Sequence, residues 1–287
     1  MAEAVVRGVG LYYEVFGSAG PWITFTPGSR RASSELRNLA SLVSAEGFRV
    51  LLHDRRNCGA SEVAVEPLGS EHEIWADDLA LLATHVGAET LYVGGSSAGA
   101  RLAILFALRH RSMLDGLLLW RLTGGSHAAA KLAELYYGDF VKLAQAGGMK
   151  AVCESDHFAA CIKARPSNRQ RLMNMSVEKF VGIMETWRTK FIEAANLPMI
   201  GATEDELRSV SAPVCLIMGN DVIHTPATAR KFARLVGQTE LHDGVVEKRT
   251  DDDLLAEWDQ AEWVRAEPAM AKIFTEFLNR ELFRKGR

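Results

Sequence analysis

Along the first part of the chain, short runs of apolar and β-branched residues alternate with longer stretches in which apolar positions recur at helical spacing, the pattern of a parallel sheet covered by helices. The short runs predict a hairpin-like pair at 4–6 and 11–16, then strands at 22–26, 49–53, 90–93 and 116–120. Between them, 71–86 carries Ile74, Trp75, Leu79, Leu82 and Val86 on one helical stripe, and 100–108 reads as a buried helix directly after a strand. From 124 to 211 the strand signal disappears and helical patterns such as 128–146 and 177–195 follow one another. Strand character resumes at 214–218, followed by a helix at 227–236, a short strand at 238–242 and a final amphipathic helix at 267–282. No internal repeat or long linker interrupts this order. The expectation is one α/β domain built from 1–123 and 212–287, carrying 124–211 as a helical cap.

Composition narrows the functional classes without choosing among them. A chain of 287 residues can bury a large core, and a formal net charge of −3 lacks the basic excess that nucleic-acid binding favours. A small-molecule substrate is therefore expected, with neither nucleic acid nor a membrane as partner; a homodimer stays open. The first twenty residues alternate like strands, where a secretion signal would have a basic start and an apolar core. No apolar run approaches the roughly 18 residues of a spanning helix. The four cysteines, Cys58, Cys153, Cys161 and Cys215, are scattered without a paired motif, which fits reduced thiols, a cytoplasmic location and no metal site.

The densest chemical signal is Gly95-Ser96-Ser97-Ala98-Gly99, which follows a strand and opens a helix. In that context G-x-S-x-G reads as a nucleophile elbow, with small residues permitting a sharp turn that exposes Ser97 at the carboxyl edge of the sheet. Ser97 is the candidate nucleophile. The amides opening the next helix can stabilise negative charge at the same place, so Ala98 is a candidate oxyanion donor. A serine- and glycine-rich turn without chemistry is the plain alternative.

With Ser97 in place, nearly the whole chain resembles the α/β-hydrolase superfamily. His53-Asp54-Arg55-Arg56-Asn57-Cys58-Gly59-Ala60-Ser61 is similar to its D-x-R-G-x-G-x-S loop, with Asn57 where glycine is commoner. Thr26-Pro27-Gly28-Ser29-Arg30 stands where the family places an oxyanion loop, with proline replacing histidine. By that resemblance the Ser29 amide is the second oxyanion donor, with the Arg30 amide as the alternative. Asp221, after the 214–218 strand and before Pro226, matches the family acid, offset by one residue from the commoner spacing. Its plain alternative is a turn residue closing the loop. The resemblance implies an α/β-hydrolase fold and a cofactor-free hydrolase of a small ester or lactone acting through an acyl-serine.

The histidine departs from the family pattern, because 245–266 contains none. A serine needs a positioned base to be nucleophilic. His224 shares the acid loop with Asp221 and is the first candidate, and His242, at the end of the last strand, is the alternative. His53, His72, His85 and His110 read as structural or surface residues, and His127 and His157 belong to the cap. Replacement bases in Asp251, Asp252, Asp253 or Glu257, a cofactor-free lyase, and a binding protein without turnover also remain open. Arg30, Trp120 and Tyr137 are the expected substrate contacts, and Arg101, one turn past the elbow, is one of several cations that could meet an anionic substrate.

Overall fold

The computed structural model describes residues 2–247, 257–284 and 286. Among them the sheet has eight strands: β1 (Ala2–Val6), β2 (Val9–Phe16), β3 (Trp22–Thr26), β4 (Arg49–His53), β5 (Leu91–Ser96), β6 (Leu114–Trp120), β7 (Val214–Ile217) and β8 (Thr239–His242). Their order is β1-β2-β4-β3-β5-β6-β7-β8, antiparallel at β1–β2 and β2–β4 and parallel from there on. Because β3, β5, β6 and β7 run in one direction, the loops that leave them open on the same edge of the sheet. That edge receives Ser29, Ser97, Arg121 and the Asp221–His224 segment.

The alternation of the strands decides which helices cover which face. On β6, Leu117 and Leu119 join the core with α2 (Glu71–His85), α3 (Ala98–Arg109) and α10 (Pro226–Leu235), while Leu118 and Trp120 face α1 (Arg37–Ala45) and α11 (Glu257–Arg284). Helix α2 starts at a capping box, in which the Ser70 side chain accepts from the Glu73 amide and Glu73 accepts from the Ser70 amide. On the opposite face Phe274 of α11 stacks on Phe25 and Trp120, with ring centroids 5.8 Å from each. Burial of aromatic and aliphatic side chains of this size contributes about 1.5–3 kcal/mol apiece.

Between β6 and β7 the chain is helical: α4 (Ser126–Ala133), α5 (Asp139–Glu154), α6 (Asp156–Ala164), α7 (Ser167–Met173), α8 (Val177–Glu193) and α9 (Glu204–Arg208). Helices α4 to α8 share a core of their own, centred on Tyr137, Phe158, Phe180, Met184 and Trp187, to which the sheet domain adds Val63, Val65, Ile74 and Ile223, whereas Leu207 of α9 joins the sheet core.

Several boundaries differ from the sequence expectation. The 128–146 helix is α4 and α5 joined through a π-turn at Glu134–Gly138, and α5 continues past a kink at Gly148, where φ is 67°. Helix α1 went unread because its buried stripe is only Leu39, Ala40 and Val43. The last helix begins at Glu257, ten residues before the expected 267, and runs through Pro268.

Candidate active site

Strand β5 ends in a turn that holds Ser97 at φ 53° and ψ −108°, a conformation few non-glycine residues adopt. Its flanking glycines are a steric requirement. A Cβ on Gly95 would lie 2.4 Å from the Gly99 carbonyl carbon, and one on Gly99 would lie 2.1 Å from the Thr26 carbonyl oxygen. The turn places Ser97 at the start of α3, so the Ala98 amide falls in the first helical turn, where backbone donors have no intrahelical acceptor. Ser29, at φ 46°, lies on the loop after β3 and lines the same cavity.

The loop between β7 and α10 supplies both remaining partners of Ser97. With the proton on Nδ1, His224 donates to Asp221 Oδ2 at 2.8 Å and accepts from Ser97 Oγ at Nε2, at 2.9 Å. Asp221 Oδ1 also accepts from the Ile223 and His224 amides, each at 2.8 Å. Asp221 therefore closes the turn and holds the imidazole at once. Arg121, at the end of β6 with φ 55°, donates from Nη2 to Asp221 Oδ2 at 2.9 Å. Burial works against ionisation of Asp221, but the His224 contact, the Arg121 charge and the backbone donors outweigh it and hold the carboxyl well below the usual range.

A cavity of about 200 Å³ opens at Ser97 and His224. Trp120, Leu132, Leu135, Tyr136 and Met270 give it apolar walls, and Arg31, Glu35, Arg121 and Glu267 give it polar ones. Leu132, Leu135 and Tyr136 come from the helical segment between β6 and β7, which thus covers the sheet edge that carries Ser97. Burial raises the pKa of Glu35 against the pull of Arg31, and that of Glu267 against its hydrogen bond from Asn38.

The expected substrate contacts divide. Trp120 lines the cavity; Arg30 and Tyr137 do not, and both expectations are corrected. The Arg30 guanidinium is tied to fully buried Glu71 by bonds of 2.7 and 2.6 Å and also donates to the Tyr136 carbonyl. The Tyr137 hydroxyl points to the same carboxylate, at 3.4 Å, and its ring borders a different cavity. His242 bonds Glu240 at 2.8 Å and is absent from the walls around Ser97. Asp251, Asp252 and Asp253 lie outside the described residues, as does the Glu257 side chain.

Sequence reasoning missed Arg121, Trp263 and Glu267 as lining residues of the cavity at Ser97. For Arg121 a signal existed, since a charged residue immediately after a parallel strand stands at the same sheet edge as the Ser97 turn. Asn57, in place of the commoner glycine, adopts φ 66°, a left-handed conformation asparagine tolerates. Asp54 in that loop accepts from the Ser33 hydroxyl and the Ala60 amide, a structural role. Among the described residues no group of three or more His, Cys, Asp or Glu is arranged to hold a metal ion, the four cysteines are free and buried, and no helix is long and apolar enough to cross a membrane.

Comparison with known proteins then decides the family. Residues 16–272 match the alpha/beta hydrolase family. The chain belongs to that family. A curated relative, the uncharacterized hydrolase YraK of Bacillus subtilis (strain 168), is 30% identical over 105 residues, a stretch that spans 37% of this chain and only 38% of that protein. Among solved structures, the enol-lactonase from Burkholderia xenovorans LB400 is 19% identical with a TM-score of 0.65, covering 97% of this chain and 100% of that one. A structure from work on carboxylesterases of Nitrososphaera gargenis is 19% identical with a TM-score of 0.66, covering 99% and 100%. The meta-cleavage product hydrolase of Pseudomonas fluorescens IP01 is 18% identical with a TM-score of 0.65, covering 96% and 98%. These likenesses establish the fold.

Proposed function

We propose that this member of the alpha/beta hydrolase family is a serine hydrolase that cleaves a small carboxylic ester or lactone through an acyl-Ser97 intermediate. The observation that carries the reading is the unbroken chain from Ser97 Oγ to His224 Nε2 and from His224 Nδ1 to Asp221. In the first step Ser97 Oγ attacks the acyl carbon while His224 Nε2 takes its proton. The Ala98 and Ser29 amides receive the resulting oxyanion. Asp221, kept ionised, fixes the imidazole orientation and stabilises the imidazolium, and Arg121 braces the Asp221 carboxylate. Collapse of the intermediate expels the alkoxide, which takes the proton back from His224. Water, deprotonated by the same nitrogen, then releases the acid and restores Ser97. These steps call on no metal or cofactor.

Substrate class is read from the cavity and from the relatives. Apolar walls from Trp120, Leu132, Leu135, Tyr136 and Met270 suit a small acyl or lactone body. The enol-lactonase and the carboxylesterases of the same fold point to the same bond types. The helical segment 124–211 acts as the lid and holds much of the specificity.

Fluorophosphonate treatment followed by intact-mass measurement tests the reading. One adduct is expected on the wild type and none on Ser97→Ala, together with a loss of aryl-ester turnover of roughly 10³-fold or more. Full labelling or full turnover by Ser97→Ala would overturn it.

A further inference from the structure

A second cavity, of about 320 Å³, lies away from Ser97 between α2, α3 and α8. Its walls include Tyr137, Trp187, Phe191, Leu105, Leu197 and Ile200, and into this apolar setting the fold brings Arg101. Arg101 is 3% exposed, and neither its Nε nor its Nη2 has a hydrogen-bond partner. Its guanidinium carbon stands 4.1 Å from the centre of the Phe191 ring. The nearby carboxylate is already engaged, since Glu71 holds Arg30 with both oxygens. Beside Arg101, His72 is also buried with Nε2 unpartnered. Burial, helped by the charges of Arg101, Arg55 and Arg30, keeps His72 neutral.

A buried guanidinium without an ion-pair partner of its own is among the most costly arrangements a core can hold, and such groups are ordinarily paired. Burial pulls the Arg101 pKa down to about 10, against the opposing influence of Tyr136, Tyr137 and Glu71. Lys190, Glu193 and Glu73 also border the cavity, and Lys190 and Glu193 are exposed. A fixed positive fork inside an aromatic and aliphatic cavity has a specific chemical complement.

We propose that this cavity is a second ligand site, separate from the Ser97 pocket, that binds a small carboxylate with an apolar or aromatic body, its carboxylate held by the Arg101 guanidinium. A flat carboxylate matches the donor fork, whereas a phosphate dianion would bring more charge than one guanidinium and a neutral imidazole balance. The His72 Nε2 position supplies a further polar contact, and Phe191 and Trp187 are among the walls that would meet the ligand body.

Benzoate is the probe, with inorganic phosphate as the contrast, measured by calorimetry and by thermal shift on the full chain. Benzoate should bind wild type and Ser97→Ala alike, and Arg101→Met should weaken it roughly tenfold or more. Ligand-free Arg101→Met should melt at or above the wild type, because it replaces an unpaired buried charge with a side chain of similar volume. A merely structural arginine would give the opposite melting shift. Equal benzoate affinity in wild type and Arg101→Met, no benzoate binding to the wild type, or tighter binding of phosphate than of benzoate would each overturn the proposal. None of these outcomes depends on whether Ser97 is reactive.

Discussion

At Ser97 the serine hydroxyl, the imidazole and the carboxylate are contributed by only two loops, because Asp221 and His224 stand three residues apart on the turn after β7. With one carboxylate holding both the turn and the ring, substitutions in this turn should act on turnover before stability. His224→Ala should lower kcat/KM for an activated aryl ester by roughly 10²-fold or more, with the fold preserved by circular dichroism. Asp221→Asn should impair the same step and cost some stability through the Ile223 and His224 amides. His242→Ala, which loses only a contact to Glu240, should turn over like the wild type; the reverse ranking would move the base to β8. The turn at Ser97 was legible in the sequence because its sterics demand small residues at fixed spacing. Which histidine meets Ser97 was ambiguous because nothing in a loop sequence says which way an imidazole faces. Arg30 was misjudged for a related reason: a cation next to an oxyanion loop looks available until the buried Glu71, forty-one positions away, is seen to hold it.

Elements set how accurately these groups are presented, and the β7–α10 loop shows this most directly. Gly219 packs under His224: a Cβ there would stand 2.1 Å from the His224 carbonyl oxygen and 2.4 Å from its Cβ. Gly219→Ala should therefore push the imidazole off Ser97, and since a shift of about 1 Å can cost roughly 10²-fold, turnover should fall by that order. Gly237→Ala, where a Cβ meets nothing within 4 Å, is the matched control and should be silent. Near-wild-type kcat/KM in Gly219→Ala would show that the loop relaxes without moving the ring. Most strands were readable in the chain because the parallel sheet is buried on both faces and its strands are continuous apolar runs. Helix limits were less so. Pro268 reads as a helix start, yet packing of Trp263, Met270 and Phe274 on one sheet face extends α11 through it, a tertiary effect that local propensity does not contain.

Over the whole molecule, the helical segment is fastened to the sheet domain through a polar seam on the loop after β4. His157 donates to the Asn57 carbonyl at 2.8 Å, Arg165 to the Ala60 carbonyl at 2.8 Å, and Asn168 bonds both the Ser61 carbonyl and the Val63 amide. His157, like His53 and His72, is kept neutral by burial. Its pKa and that of His53 are pulled down to about 3, and that of His72 lies well below its ordinary value. Each native pKa is below the unfolded value, so between the two the unfolded chain holds a proton that the native state refuses. Stability should thus be complete above about pH 6.5 and fall as the pH drops from there toward 3, by up to about 1.4 kcal/mol per pH unit for each such histidine. Asp221 adds a loss only at more acidic pH, since its native pKa is depressed, while the raised Glu35 and Glu267 offset part of the slope near their own titrations. Denaturant unfolding from about pH 8 down to about pH 5 should show a plateau and then a decline, and His53→Leu should reduce the proton uptake on unfolding at about pH 5.5 by nearly one. A stability that stays level across that range would mean these imidazoles are charged in the native state, and the seam at His157 would then have to be rebuilt around a cation.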